Sequence, residues 1–466
     1  MFRGGAMLAT GSVAEQTIRF GRNLFLARLL APDAFGTMAI ALSVSSVLHT
    51  ITDLGVKEAI IQNPRGSEDR YAGAAWWLAF SRAVSLYVVV FFAAPWLAGF
   101  YGNLELTSLL RVLAVGLVLD GAVSAKAYIA LKEVKFGKWA AMNHGGGIVG
   151  VLVTVALSFF IRDVWALVLG SLTESVARCL LSYILCPYLP PLSWDRHAIL
   201  ELLRFSRGLF GLAFLNLIFT RSDIFVLAKL YPASQVGIYS MAVALAQAPA
   251  GFIMNLQGYT LLPVFSEIQS DTARLNRAFL QSSALIVALG IPAFIFVALC
   301  GHSFLTLSYG QRYGGAVGPF IIAAAVAVLN LINGQPTVVF FAKGLPGLHR
   351  RSVAITAIIV VGAVYPFTKL FGLAGAQLAC LAAVGAGYAL QVERMHHYTG
   401  LNLCQYGKIF VLPVLASATL GAVWLAGRPF AALARPVPSI ILGVIGCLLA
   451  YSIAGAALLR SRSQLL

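Results

Sequence analysis

"LARLLAPDAFG", residues 26–36, and "LAKLYPASQVG", residues 227–237, are two copies of one phrase set 201 residues apart. Leu26, Ala27, Leu29 and Gly36 recur as Leu227, Ala228, Leu230 and Gly237, and Arg28 becomes Lys229. In both copies an apolar run ends, a Pro-containing turn follows, and a second apolar run begins. Six such runs separate the copies, and an even number returns the chain to the same orientation. The phrase therefore predicts two halves related by an axis along the membrane normal, as in transporters built from parallel repeats.

Working outward, the whole chain is of one character. Hydrophobic residues make up 59% of the 466, only 11% are charged, and the mean hydropathy is +0.86. An ordinary soluble domain carries about 25% charged residues. Apolar runs of about twenty residues, the length that crosses a hydrocarbon core of roughly 30 Å, recur from end to end. In lipid the backbone must satisfy its own hydrogen bonds, so only helices or a closed barrel can span. The runs are continuous rather than alternating, which leaves helices. The fold class expected is an all-α polytopic membrane protein.

Fourteen segments are read from the runs and their turns. They lie near 6–30, 35–61, 73–99, 104–131, 139–161, 164–186, 205–230, 235–262, 278–300, 316–341, 352–371, 373–392, 406–427 and 437–459. Residues 1–186 make a first lobe of six helices and 205–395 a second. Between them 187–204, which is Pro-rich, reads as a cytoplasmic linker, and 396–466 carries two further helices. Glu15 interrupts the only candidate for a cleavable signal, so the first segment is expected to stay in the mature protein. The six cysteines have no metal spacing and read as small packing residues. Nineteen Lys and Arg fall on the N-terminus, the even-numbered loops and the C-terminus, against five on the odd-numbered loops. That bias places both termini in the cytoplasm. It also accounts for most of the net charge of +16, which is spread over short loops, so no nucleic-acid partner is expected.

Nine cations remain inside the segments: Arg19, Arg22, Arg28, Arg82, Arg111, Lys126, Arg178, Arg221 and Lys229. An ion at the bilayer centre costs roughly 2.5–3.5 kcal/mol, so it normally faces a partner or water. Arg82, Arg111 and Lys126 sit where a long stem can reach the interface, and Arg28 and Lys229 belong to the repeated turn. Glu174 and Arg178 are spaced to pair on one helix. Glu15, Arg19 and Arg22 lie within about 60° of one another on a helix and form a single polar stripe. Two surplus arginines on one stripe suit an anionic, phosphate-like head group, which a guanidinium fork grips bidentately. On the seventh segment Asn216, Thr220 and Asp223 share a face, with Arg221 turned from it. The later segments offer amides instead, among them Gln247, Asn255, Gln257, Asn330, Asn333 and Gln335. "NHGGGIVG", residues 143–150, lacks the lysine of a phosphate loop and reads as close helix packing.

Four phrases carry a family resemblance: "LARLLAPDAFGTMAIALSV", "ITDLGVKEAIIQ", "WLAGFYGNLELTSLLRVLAV" and "AYIALKEVKFGKWA". In this order they resemble the polysaccharide exporters of the multidrug/oligosaccharidyl-lipid/polysaccharide superfamily, the branch of exopolysaccharide and O-antigen flippases. The resemblance implies two six-helix bundles with two extra C-terminal helices, in the bacterial inner membrane. It also implies movement of undecaprenyl-diphosphate-linked oligosaccharide repeat units to the periplasmic leaflet by alternating access, for exopolysaccharide, capsule or O-antigen synthesis. A polymerase and a chain-length regulator of the same pathway are the protein partners that go with it. On geometry, Arg19, Arg22 and Arg221 are the candidate diphosphate contacts. Asn216, Asn255, Gln257 and Asn330 are the candidate glycan contacts. Glu15, Asp120 and Asp223 are the candidates for coupling to protons or sodium; no other cofactor and no metal site is expected. The rival readings are a peptidoglycan-precursor flippase or a multidrug antiporter of the same superfamily. A membrane-embedded polymerase or ligase is the reading from another class, and its catalytic loop is missing from the short odd-numbered connections.

Overall fold

The computed structural model describes residues 2–191, 195–431 and 444–445, with side chains from Gly11 onward save at 51–52, 205–212, 252, 255–256, 259, 419, 423 and 426–431. The described residues are helical throughout, without a strand. Fourteen α-helices run in order: α1 (Phe2–Leu29), α2 (Pro32–Thr52), α3 (Val56–Gln62), α4 (Asp69–Tyr101), α5 (Leu106–Gly121), α6 (Ala125–Lys132) and α7 (Phe136–Phe160). They continue with α8 (Val164–Leu185), α9 (Arg196–Leu230), α10 (Ala233–Glu267), α11 (Thr272–Tyr309), α12 (Val317–Ala342), α13 (Pro346–Thr399) and α14 (Leu403–Ala431). Seven described helices are long and apolar enough to cross a membrane, or eight when the bent pair α5 and α6 counts as one span. Their outer faces are apolar: Phe92, Trp96 and Phe160 are 76%, 71% and 86% exposed. Such faces are stable only against lipid. The fourteenth expected segment, near 437–459, lies outside the described residues apart from the helical pair Val444 and Ile445.

The segments differ from the sequence expectation where a local group intervenes. The run 35–61 breaks at Asp53–Gly55, because Asp53 Oδ1 accepts the Gly55 N–H at 3.0 Å and Gly55 takes φ 58°. The run 104–131 bends by 53° between α5 and α6. α13 is a hairpin rather than one rod. It folds back at Gly372 (φ 63°), so that Ser352 Oγ donates to the Gly387 carbonyl at 2.7 Å and Gly375 lies against the Phe367 carbonyl. The expected linker 187–204 is half helix, since α9 already starts at Arg196. Asp195 caps it by accepting the N–H groups of His197 and Ala198 at 2.9 and 3.1 Å, which hold its carboxyl below the usual range. Ala198 and Leu202 are then fully buried against Ile60, Tyr71, Ala75 and Tyr188. The stretch is an amphipathic first turn of the helix, which its prolines disguise.

The chain forms two compact units, Met1–Ser240 and Met241–Leu466. In the first, α7 packs on α8 and α1, α5 on α4 and α8, and α2 on α5 and α9. α9, expected with the second lobe, thus packs here against α2 and α4. In the second unit, α12 packs on α11 and α13, and α14 on α11.

The repeated phrase meets itself inside the first unit. A Cβ on Gly36 would run into the Ala233 carbonyl, and a Cβ on Gly237 into the Pro32 carbonyl. Pro32 and Ala233 occupy the same position in the two copies, as do the two glycines. The contact is therefore reciprocal, and glycine is the residue that lets the backbones approach this closely.

Candidate substrate site

Six ionisable residues of the first unit are joined into one seam across four helices. It begins on α7, where His144 Nδ1 lies 2.6 Å from Glu15 Oε2 on α1. The other oxygen of Glu15 accepts Arg19 Nε at 2.8 Å, one turn along the same helix. Arg19 Nη2 then donates to Glu174 Oε1 on α8 at 2.6 Å. That same oxygen accepts Arg178 Nη2 at 2.6 Å, and Arg178 Nη1 reaches Asp120 Oδ1 on α5 at 3.2 Å. His49 on α2 is within electrostatic reach of Asp120.

Glycine makes the seam possible. Gly146, Gly147 and Gly150 of α7 are buried, and each takes the place that a side chain would need. A Cβ on Gly147 would stand 2.7 Å from Glu15 Oε1, and one on Gly150 2.6 Å from the Cβ of Glu174. One on Gly146 would stand 3.1 Å from the Cβ of Arg178. The run "NHGGGIVG" is thus a packing device, and what it accommodates is the ion chain.

Sequence reasoning placed Glu15, Arg19, Arg22 and Asp120 among the functional residues, and the fold distributes them unequally. Glu15, Arg19 and Asp120 are members of the seam. Arg19 is not a surplus cation, because two carboxylates hold it. Arg22, on the same stripe of α1, is half-buried, and its Nη2 and Nε donate to the neighbouring Asn23 Oδ1 at 3.1 and 3.3 Å. It makes no ion pair among the described residues, although Arg19 and Glu174 are within electrostatic reach. The stripe therefore ends in one arginine that makes no direct ion pair among the described residues.

The other candidates lie elsewhere. Asp223 is buried at 7% exposure and accepts the Tyr239 hydroxyl at 2.6 Å and the Ile224 N–H at 2.8 Å. Arg221 is half-buried without an ion pair among the described residues, and Asn216 is exposed. The side chain of Asn255 lies outside the described residues. In the second unit Asn330 is half-buried, while Gln257 is buried with its amide nitrogen lacking a described partner and its oxygen facing Gly334. The residue that sequence reasoning missed is His144. It stood beside the glycine run, and nothing in its spacing revealed the carboxylate it meets 129 positions earlier.

A membrane protein with this ion seam has recognisable relatives. The family model described as "Polysaccharide biosynthesis protein" matches residues 25–318, more than half of the chain. The chain belongs to this family. Among the members of the polysaccharide biosynthesis family similar to it is the lipopolysaccharide biosynthesis protein WzxC of Escherichia coli (strain K12). That protein is 23% identical over 358 residues, which cover 76% of this chain and 73% of WzxC. The succinoglycan biosynthesis transport protein ExoT of Rhizobium meliloti (strain 1021) is also 23% identical, over 367 residues and the same shares of each chain. Among solved structures, the lipid II flippase MurJ in its inward closed conformation is similar in fold. Its TM-score is 0.80 at 11% identity, over 98% of this chain and 99% of that one. This family member thus shares a helical transporter fold with a flippase.

Proposed function

We propose that the protein flips polyprenyl-diphosphate-linked oligosaccharide repeat units, undecaprenyl being the carrier, from the cytoplasmic to the periplasmic leaflet. It serves exopolysaccharide, capsule or O-antigen synthesis from the bacterial inner membrane, with both termini in the cytoplasm and fourteen spans arranged as two repeated halves. A polymerase and a chain-length regulator act on the delivered units.

The observation that carries this reading is Arg22, an arginine with no ion-pair partner among the described residues, at the end of an ion seam within an apolar helix bundle. The energetics of the cargo require such a group. The prenyl tail gains nothing by leaving lipid, whereas a diphosphate and its sugars cannot cross hydrocarbon without a polar route. Arg22 presents the planar fork that binds phosphate oxygens, and Arg19 lies on the same stripe, already held in place by Glu15 and Glu174. Arg221 is a second contact on the same reading. Sugars present many hydroxyls, and these suit the amides Asn216, Asn255, Gln257 and Asn330. Alternating access then carries the head group across while the tail follows in the bilayer. A drug-cation antiporter would need the opposite surplus, an unpaired carboxylate.

Deleting the gene tests the reading in the cell. The expected result is loss of the surface polysaccharide with accumulation of complete lipid-linked repeat units, both reversed by the wild-type gene. A deletion strain with normal surface polysaccharide would overturn it.

A further inference from the structure

The seam contains one group to which substrate binding gives no task, the imidazole of His144. We propose that His144, paired with Glu15, is a proton-binding site that takes up one proton when the diphosphate binds and returns it on release. The inference rests on the diphosphate reading of Arg22 and adds to it the fate of a proton.

The geometry assigns the imidazole a hydrogen on Nδ1. Glu15 already accepts Arg19 through Oε1, and its Oε2 faces His144 Nδ1 at 2.6 Å. A carboxylate only accepts, so Nδ1 carries a hydrogen and the lone pair of the neutral ring is on Nε2. Nε2 lies against Gly11 of α1, where a Cβ would stand 2.8 Å from it, so this nitrogen has its place beside α1 because residue 11 has no side chain. The His144 and Glu15 side chains are each 19% exposed, so neither is sealed inside the packed helices.

The surrounding charges supply the reason for uptake. Beside the pair on α1 is Arg19, with Arg22 within electrostatic reach of Arg19 and Glu174; from α8 come Glu174 and Arg178, with Asp120 of α5 beyond them and His49 of α2 near Asp120. α6 also packs on α7, but Lys126 lies over the Tyr188 ring and Lys132 donates to the Asn63 carbonyl, so neither faces His144. Three arginines thus balance the three carboxylates Glu15, Glu174 and Asp120. With a neutral imidazole the seam has no net charge to offer a diphosphate diester, which brings two negative charges. Adding a proton to Nε2 makes the seam cationic, keeps Nδ1–H donating to Glu15, and frees Arg19 to share its fork with the phosphate. The proton comes from water on one side and returns to water when the ligand leaves, so no bond is made or broken elsewhere.

The test is binding of farnesyl-diphosphoryl-N-acetylglucosamine to the full-length protein in nanodiscs, with proton uptake read by an indicator dye in weak buffer. A diester keeps its charge across the range between about pH 5 and 8 in which imidazole titrates. The wild type should take up close to one proton per bound ligand, and its Kd should rise by up to about tenfold per pH unit on the alkaline side. His144→Gln should bind with no pH slope and no uptake, and His144→Lys, a fixed cation, should bind tightly without a slope. Wild-type binding that ignores pH and takes up no proton overturns the inference while leaving Arg22 its role, and this needs no variant to fold. A slope that persists in His144→Gln also overturns it by placing the proton elsewhere. If the wild type does not bind the probe at all, the diphosphate reading itself falls and takes this inference with it.

Discussion

Arg22→Ala is expected to abolish surface polysaccharide while the protein accumulates in the membrane at its normal level. Removing the guanidinium deletes a charge-assisted contact to phosphate, about 1.5–3 kcal/mol. That corresponds to roughly a ten- to hundredfold loss in binding of the lipid-linked substrate. Stability should not suffer, because among the described residues Arg22 is held only by the amide oxygen of Asn23 and its removal breaks no ion pair. Arg22→Lys keeps the charge but loses the planar fork, so it should retain intermediate export. The measurement is surface polysaccharide alongside an immunoblot of membranes. Normal export by Arg22→Ala would remove this arginine from the transport route.

Glu174→Ala should fail in the opposite way, by losing the protein. Glu174 Oε1 accepts both Arg19 Nη2 and Arg178 Nη2 at 2.6 Å, and the Glu174 side chain is only 15% exposed. Its removal leaves two arginines in an apolar bundle without their shared acceptor. Breaking such a buried pair typically costs about 3–5 kcal/mol. The expected result is a sharp fall in membrane yield and in the unfolding temperature of the purified protein, ahead of any effect on ligand binding. Glu174→Gln preserves one acceptor oxygen and should fall between. A Glu174→Ala protein that melts with the wild type would show that the seam does not hold α1, α7 and α8 together.

The contrast between these two residues shows what the sequence could and could not convey. Apolar runs read one by one located the helices, since each span is a local property of about twenty residues. The repeated phrase marked Gly36 and Gly237 as equivalent positions, but that their backbones approach each other reciprocally is seen only in the fold. The pairing of Glu174 with Arg178 was legible from its i, i+4 spacing. The pairing of Glu174 with Arg19 was not, because 155 residues separate them and only the packing of α7 between α1 and α8 brings them together. For the same reason Arg19 and Arg22 looked alike on a helical wheel, although among the described residues one is paired with two carboxylates and the other with none. The start of α9 at Arg196 was hidden by the prolines before it, and it was the cap at Asp195 that revealed it.

The account depends on a polar route through the bundle that a diphosphate can enter. Its most direct test is reconstitution of the purified protein into liposomes containing a polyprenyl-diphosphate oligosaccharide whose sugars a membrane-impermeant reagent can oxidise. With the wild type, the oxidisable fraction should rise beyond the outer-leaflet share toward completeness, and with Arg22→Ala it should stay at that share. Protein-free and wild-type liposomes giving the same fraction, or Arg22→Ala flipping at the wild-type rate, would contradict it.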